Sequence, residues 1–281
     1  MISFTPRSLS ELRRMLAEAP DDTSIIAGGT DLIIQMNQNE VSPEALLYIG
    51  HVPELHEITV TETSVFIGSA VTMTEIAAIG PVPPCVEALV EAAGEVGSPQ
   101  IRNRATIGGN VANAAPAGDL FGILCLLGAK ALVYQADGSI IDYPIFDIVE
   151  APGKTILKPS QILYGFTIPV RDCQTHYKKL GSRKKVTITR MNLQAAMRLD
   201  KGMTIRGCEI WVSAISPKPV CFSETAQKLV GRSINEYGLA SIISKDISAY
   251  ILKQKRASGS YKSKAIQGVA EDVITMFRST S

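Results

Sequence analysis

Two short stretches hold the residues best suited to chemistry. "IIAGGTDLI" runs from Ile25 to Ile33, and "TIGGNVANAAPAGDL" runs from Thr106 to Leu120. Each sets a glycine pair into apolar surroundings, adds polar side chains, and passes at once into helix-forming residues. Glycine permits positive φ and lets a ligand approach the main chain closely. Successive N–H groups then form a concave nest for anionic oxygens, and a helix start behind them adds its positive end. Two such loops can grip a pyrophosphate from both sides. Thr30 and Thr106 offer hydroxyls, while Asn110 and Asn113 offer amides for sugar or phosphate. Asp119 would repel phosphate, but its carboxylate accepts well from ribose or ribityl hydroxyls. Taken singly, each glycine pair reads more readily as an ordinary turn. Neither fits G-x-G-x-x-G, which argues against a Rossmann site.

Other chemistry is sparse. Cys85, Cys125, Cys173, Cys208 and Cys221 contain no CxxC pair and no zinc or cluster spacing. They read as structural, with Cys125 a small core residue, and scattered thiols fit a reducing compartment. The three histidines, His51, His56 and His176, read as surface or turn residues and lie outside both glycine loops. No nucleophile–base pair carries a motif, so no catalytic residue and no metal ligand is expected. That suits a protein that binds and tunes a cofactor while the cofactor carries the chemistry.

Several elements must position these loops. Ser8 and Glu11 have capping-box spacing ahead of a helix with Leu9, Leu12 and Leu16 on one face. "TSIIAGG" is a strand entering the first glycine turn. Short strands and turns follow to about Ile79. "PPCVEALVEAAGEVG" is a helix opened by proline and closed by Gly97. "AGDLFGILCLLGAKA" is a buried helix, for which Asp119 is also a possible N-cap. "LVYQADGSIIDYPI" is a hairpin around Asp137-Gly138, and "ILYGFTIP" is a strand. After Arg171 the pattern changes to three strands, then helices interrupted by the basic, mobile stretch "LKQKRASGSYKSK". The mixed order favours an α+β fold.

Composition limits the class of function. The chain has 281 residues, 46% hydrophobic and 20% charged, which suits a globular protein with two domains. Lys plus Arg number 28 against 27 acids, so there is no electrostatic footprint for nucleic acid. The start carries charges where a signal peptide needs an apolar core. The longest apolar run, "FGILCLLGAKALVY", contains Lys130 and is too short to span a bilayer. A cytoplasmic location is expected.

The sequence resembles the FAD-binding, or medium, subunit of the molybdenum hydroxylase family, of the xanthine dehydrogenase and carbon monoxide dehydrogenase type. The resemblance is carried by "AGGTDLIIQM" (27–36), "GSPQIRNRATIGGNVANAAPAGDL" (97–120), "LKPSQILYGFTIP" (157–169), "KKLGSRKKVTITRMNLQAAMRL" (178–199) and "KRASGSYKSKAI". These stretches follow the family's order along nearly the whole chain. The resemblance implies that Ile26, Ala27, Gly28, Gly29, Thr30, Asp31 and Leu32 form one diphosphate loop. Thr106, Ile107, Gly108, Gly109 and Asn110 form the other. Asp119 would bind polar groups along the flavin chain, Ile101 would lie near the ring, and Leu163 and Lys179 would touch the flavin region. The implied fold is an α+β, two-subdomain FAD-binding domain of the PCMH type over 1–171, divided near residue 55. A smaller C-terminal domain over 172–281 would hold a three-stranded antiparallel sheet and helices. Thr189 stands where the family usually has alanine, and no cysteines are present for the extra cluster of some relatives.

The implied function is electron transfer within a hetero-oligomeric oxidoreductase. A large partner subunit would hold the molybdenum cofactor. A small partner would hold 2Fe-2S clusters that reduce non-covalent FAD on this chain, which would pass electrons to NAD or another acceptor. No role with nucleic acid or membrane is implied. The alternative is a self-contained FAD oxidoreductase of the same broad fold, such as a UDP-sugar reductase. A third reading is a non-catalytic nucleotide-binding module.

Overall fold

The computed structural model describes residues 1–183, 186–255 and 257–279. Lys184, Lys185, Arg256, Thr280 and Ser281, some of them within the stretches quoted above, lie outside the described residues. The chain divides into two units assembled from separated segments. The first comprises Met1–Ile79, Val96–Ala115 and Gly128–Pro169, and the second Gly80–Glu95, Pro116–Leu127 and Val170–Ser281. The last crossing falls beside Arg171, where the sequence changes character. The segments Gly80–Glu95 and Pro116–Leu127 join the second unit, although one break at 171 would leave them in the first.

The first unit holds two main sheets. Strands Ile2–Phe4, Ala45–Tyr48 and Thr23–Ile26 form a parallel sheet with Ala45–Tyr48 central. The helix Leu9–Glu18 links two of them. Its N-cap Ser8 accepts from Glu11 N–H at 3.2 Å. The Glu11 carboxylate accepts from Arg7 N–H at 2.8 Å and so does not close a reciprocal box on Ser8. Leu12 and Leu16 are buried in a core with Leu47, Val52, Leu55 and Ile162. The other sheet is antiparallel, in the order Ile58–Val60, Ser64–Gly68, Gln161–Pro169, Lys130–Gln135, Ile140–Pro144. Its hairpin turns at Asp137-Gly138 as expected: Gly138 has φ +89° and the Asp137 carboxylate accepts from Ser139 N–H at 2.8 Å.

The second unit is built on an antiparallel sheet of Gln174–Gly181, Thr189–Leu199, Ile205–Ser213 and the two-residue strand Val220–Cys221, one more than the three expected. Strand Thr189–Leu199 is buried on both faces, and its alternation separates two environments. Met191, Leu193, Ala195 and Met197 join the core formed with helices Leu239–Lys253 and Gly259–Ser279. Gln194 faces the helix Asp119–Leu126, where a Cβ on Gly122 would come within 2.4 Å of its Nε2 and 2.0 Å of Ser213 Oγ. Gly122 therefore lets that helix close onto the sheet. Every residue of the helix is buried.

Three local expectations need correction. The helix Glu87–Gly94 ends with Glu95 as its cap, and Gly97 lies beyond it at φ +48°. His176 is neither a surface nor a turn residue. It sits in strand Gln174–Gly181, 6% exposed, edge-on to Phe277, and burial holds its pKa below the ordinary value. Asp119 is the first helical residue rather than the cap, which is Gly118.

Candidate functional site

In the first unit the two glycine loops border one cavity of about 290 Å³. All of the first loop from Ile26 to Leu32 lines it, together with Ile101, Thr106, Gly109 and Asn110. Ile107 does not. It is fully buried beneath the second loop, and its N–H donates to Val71 O. Asn113 Nδ2 donates to Asp31 Oδ1 at 3.1 Å and ties the two loops together. Thr30 Oγ1 donates to Asp31 Oδ2 at 3.2 Å.

The four glycines do different work. A Cβ on Gly28 would lie 1.9 Å from Arg104 O, and one on Gly108 would lie 2.6 Å from Ser69 Cβ. Both are glycine because protein backbone packs against them. Gly29 has φ +73°. A Cβ on Gly109 would meet only Thr106 Oγ1, at 3.1 Å. Gly109 is therefore the position whose bareness the protein's own packing leaves open.

The loops also differ in available donors. In the second loop Gly108 N–H donates to Ser69 O at 2.9 Å and Gly109 N–H to Thr106 Oγ1 at 3.0 Å. Those groups are spent, so the nest expected there does not form. In the first loop, Gly28, Gly29, Thr30 and Asp31 donate no backbone hydrogen bond among the described residues. Four consecutive N–H groups bordering a cavity are suited to anionic oxygens.

A second cavity of about 310 Å³ shares Ile25, Ala27, Gly109 and Ala112 with the first. Its walls are mostly apolar and include Ile49, Ile162 and Leu163. Leu163, expected beside the flavin, thus lines this chamber with Gly108 and Gly109. Two adjoining chambers, the first bordered by the N–H groups and polar side chains of the loops and the second mostly apolar, fit an extended molecule with an anionic middle and a flat apolar end.

Asp119 and Lys179 meet each other in the second unit. Lys179 Nζ donates to Asp119 Oδ2 at 2.8 Å and to Glu95 O at 3.1 Å, and the two side chains are only 5% and 9% exposed. Tyr177 Oη donates to Asp119 Oδ1 at 3.0 Å, and Thr189 Oγ1 donates to the same oxygen. Burial, then the Asp119 charge, pushes the Tyr177 pKa well above its ordinary value, which keeps the phenol a donor. Thr189 reaches this cluster through a β-bulge. Leu180 pairs with Met191 but Gly181 pairs with Thr189, so Arg190 is the extra residue and the alternation reverses. Neither Tyr177 nor Thr189 was expected as a partner of Asp119. The alternation of Thr175, Tyr177 and Lys179 along one strand was the available signal.

Among the described residues no group of three or more His, Cys, Asp or Glu side chains could hold a metal, and no helix is long and apolar enough to cross a membrane.

The fold is a mixed helix-and-sheet architecture that carries the two paired glycine loops. Residues 2–171 match the family described as the FAD binding domain in molybdopterin dehydrogenase. The chain belongs to that family: it is an FAD-binding subunit of the molybdenum hydroxylase type, in the oxidoreductase class. The nicotinate dehydrogenase FAD-subunit of Eubacterium barkeri is 30% identical over 273 residues, which cover 95% of this chain and 92% of that one. The carbon monoxide dehydrogenase medium chain of Hydrogenophaga pseudoflava is 33% identical over 233 residues, covering 82% and 80%. The reconstituted CO dehydrogenase from Oligotropha carboxidovorans has the same fold, with a TM-score of 0.88 at 22% identity over 100% of this chain and 98% of that one.

Proposed function

We propose that this chain holds FAD non-covalently and relays electrons within a larger enzyme. They would come from 2Fe-2S clusters of a small partner subunit and leave to NAD or another acceptor, while a large partner carries the molybdenum cofactor and oxidises the substrate. The observation that carries this reading is the run of uncommitted N–H groups from Gly28 to Asp31, bordering the same cavity as Gly109. Those donors hydrogen-bond the diphosphate oxygens, and Gly109 lets the diphosphate approach the main chain. The Asn110 amide serves the diphosphate or a neighbouring sugar. We assign the adenosine half to the apolar chamber, which moves Leu163 from the flavin region expected for it to the nucleoside, while Ile101, lining the other chamber, stays with the flavin.

We propose Asp119 and Lys179 for the flavin chain, as the resemblance implies. Three donors already engage Asp119, and one of them is Lys179, which it holds in place. Two of the three ammonium hydrogens are spent on Asp119 and Glu95, which leaves one. Bound FAD supplies exchange of electron pairs with nicotinamide and of single electrons with iron–sulfur clusters.

The test uses the purified chain and then the native complex. The chain alone should bind one FAD, release it intact on denaturation, and lack iron–sulfur absorbance. It should oxidise no organic substrate until both partners are added. Failure to retain FAD overturns the cofactor assignment. Turnover of an organic substrate by the chain with FAD alone puts the self-contained oxidoreductase in its place.

A further inference from the structure

Ser69 is 2% exposed, and its hydroxyl has no hydrogen-bond partner among the described residues. Its main chain is fixed on both sides: Ser69 N–H donates to Tyr164 O at 3.0 Å, and Ser69 O accepts from Gly108 N–H at 2.9 Å. The residue lines the apolar cavity of about 310 Å³. An unpaired buried hydroxyl carries a penalty that a ligand or a water would relieve. The other polar side chains on that wall are engaged or solvated. Thr23 Oγ1 donates to Pro20 O at 2.6 Å. Gln161 accepts from Lys158 N–H at 2.8 Å and donates to Gln135 Oε1 at 2.6 Å. Asp21 and Lys158 are exposed.

We infer that Ser69 is a binding residue for the nucleoside half of the cofactor, its hydroxyl making the polar bond that fixes adenosine in the apolar chamber. This rests on the FAD reading above and adds a residue that the glycine-loop motifs do not contain. The chamber's aliphatic walls accept any flat ring. A single buried hydroxyl on a fixed backbone then sets which way the nucleoside lies.

The test compares the full chain with Ser69→Ala and Ser69→Cys, titrated with FAD and with ADP by calorimetry, with ligand-free melting temperatures as the fold control. Loss of one neutral hydrogen bond should weaken both ligands about three- to tenfold in Ser69→Ala. The ligand-free melting temperature should hold or rise, because an orphan hydroxyl is removed. Ser69→Cys keeps the volume with a weak donor and should behave like Ala. Unchanged FAD and ADP affinity in Ser69→Ala overturns the inference and leaves the cofactor reading standing. So does wild-type affinity in Ser69→Cys, because volume would then be what matters. FAD binding without any ADP binding in the wild type removes adenosine from this chamber. If the wild type binds neither, the FAD reading itself falls.

Discussion

Gly109→Val separates a glycine kept for the ligand from one kept for the fold. An added Cβ at 109 meets only Thr106 Oγ1, at 3.1 Å, which a few tenths of an ångström of hydroxyl movement relieves. Position 109 lies inside the helix Ile107–Ala112, where replacing glycine is helix-favouring by a few tenths of a kcal/mol for valine. Stability without FAD should therefore change by less than about 1 kcal/mol. Gly109 lines both chambers, so the added methyl groups are expected to narrow the space they share. Displacing a diphosphate from the main chain loses charge-assisted hydrogen bonds of ~1.5–3 kcal/mol each, so one lost bond weakens FAD by roughly ten- to a hundredfold. Gly108→Ala is the contrast, since its Cβ would lie 2.6 Å from Ser69 Cβ and 2.7 Å from Ser69 O. That variant should lose stability before any ligand is added. The assay is denaturant unfolding of the FAD-free chains, followed by FAD titration monitored by flavin fluorescence. A Gly109→Val chain that folds and binds FAD with wild-type affinity would refute the reasoning.

Two further outcomes follow from the second unit. Asp119→Ala should destabilise the FAD-free chain by about 3–5 kcal/mol, because it strands the buried Lys179 ammonium along with the Tyr177 and Thr189 hydroxyls. A loss near the ~1 kcal/mol of a helix cap, measured by denaturant unfolding, would mean the cluster is not intact in solution. Glu91 has its pKa raised from 4.5 to about 7, first by burial and then by Glu95, with Glu87 adding and Lys178 opposing. The fold therefore favours the protonated form, and stability should fall as pH rises from about 4.5 to 7 and level off above. Its side chain is partly open to water, so the effect should be on the order of 1 kcal/mol. Glu91→Gln should flatten that slope in melting temperature against pH, and an unchanged slope would assign it to other groups.

The elements around the loops were largely legible because they rest on local signals. The strand Gln161–Pro169 and the hairpin at Asp137-Gly138 announce themselves by alternation and turn chemistry. The division into units was less so. The segments Gly80–Glu95 and Pro116–Leu127 pack with strands that come much later in the chain, and nothing in their own composition names that partner. His176 was misplaced for the same reason: a lone histidine reads as polar until a neighbour such as Phe277 covers it.

The glycine pairs mark the limit of local reading most sharply. Gly28, Gly29, Gly108 and Gly109 look alike in sequence, and all four suggest a ligand on bare backbone. The fold assigns Gly28 to Arg104 O, Gly29 to a positive φ, Gly108 to Ser69, and leaves Gly109 open to the cavity. A glycine is silent about which neighbour excludes its Cβ, because that neighbour lies elsewhere in the chain. The same holds for Thr189. With regular alternation its hydroxyl would point with Met191 toward the apolar helix-packed face, where an unpaired hydroxyl costs about 1–3 kcal/mol. One extra residue, Arg190, turns it to Asp119 instead. A threonine at this position is therefore read correctly only together with the bulge that aims it.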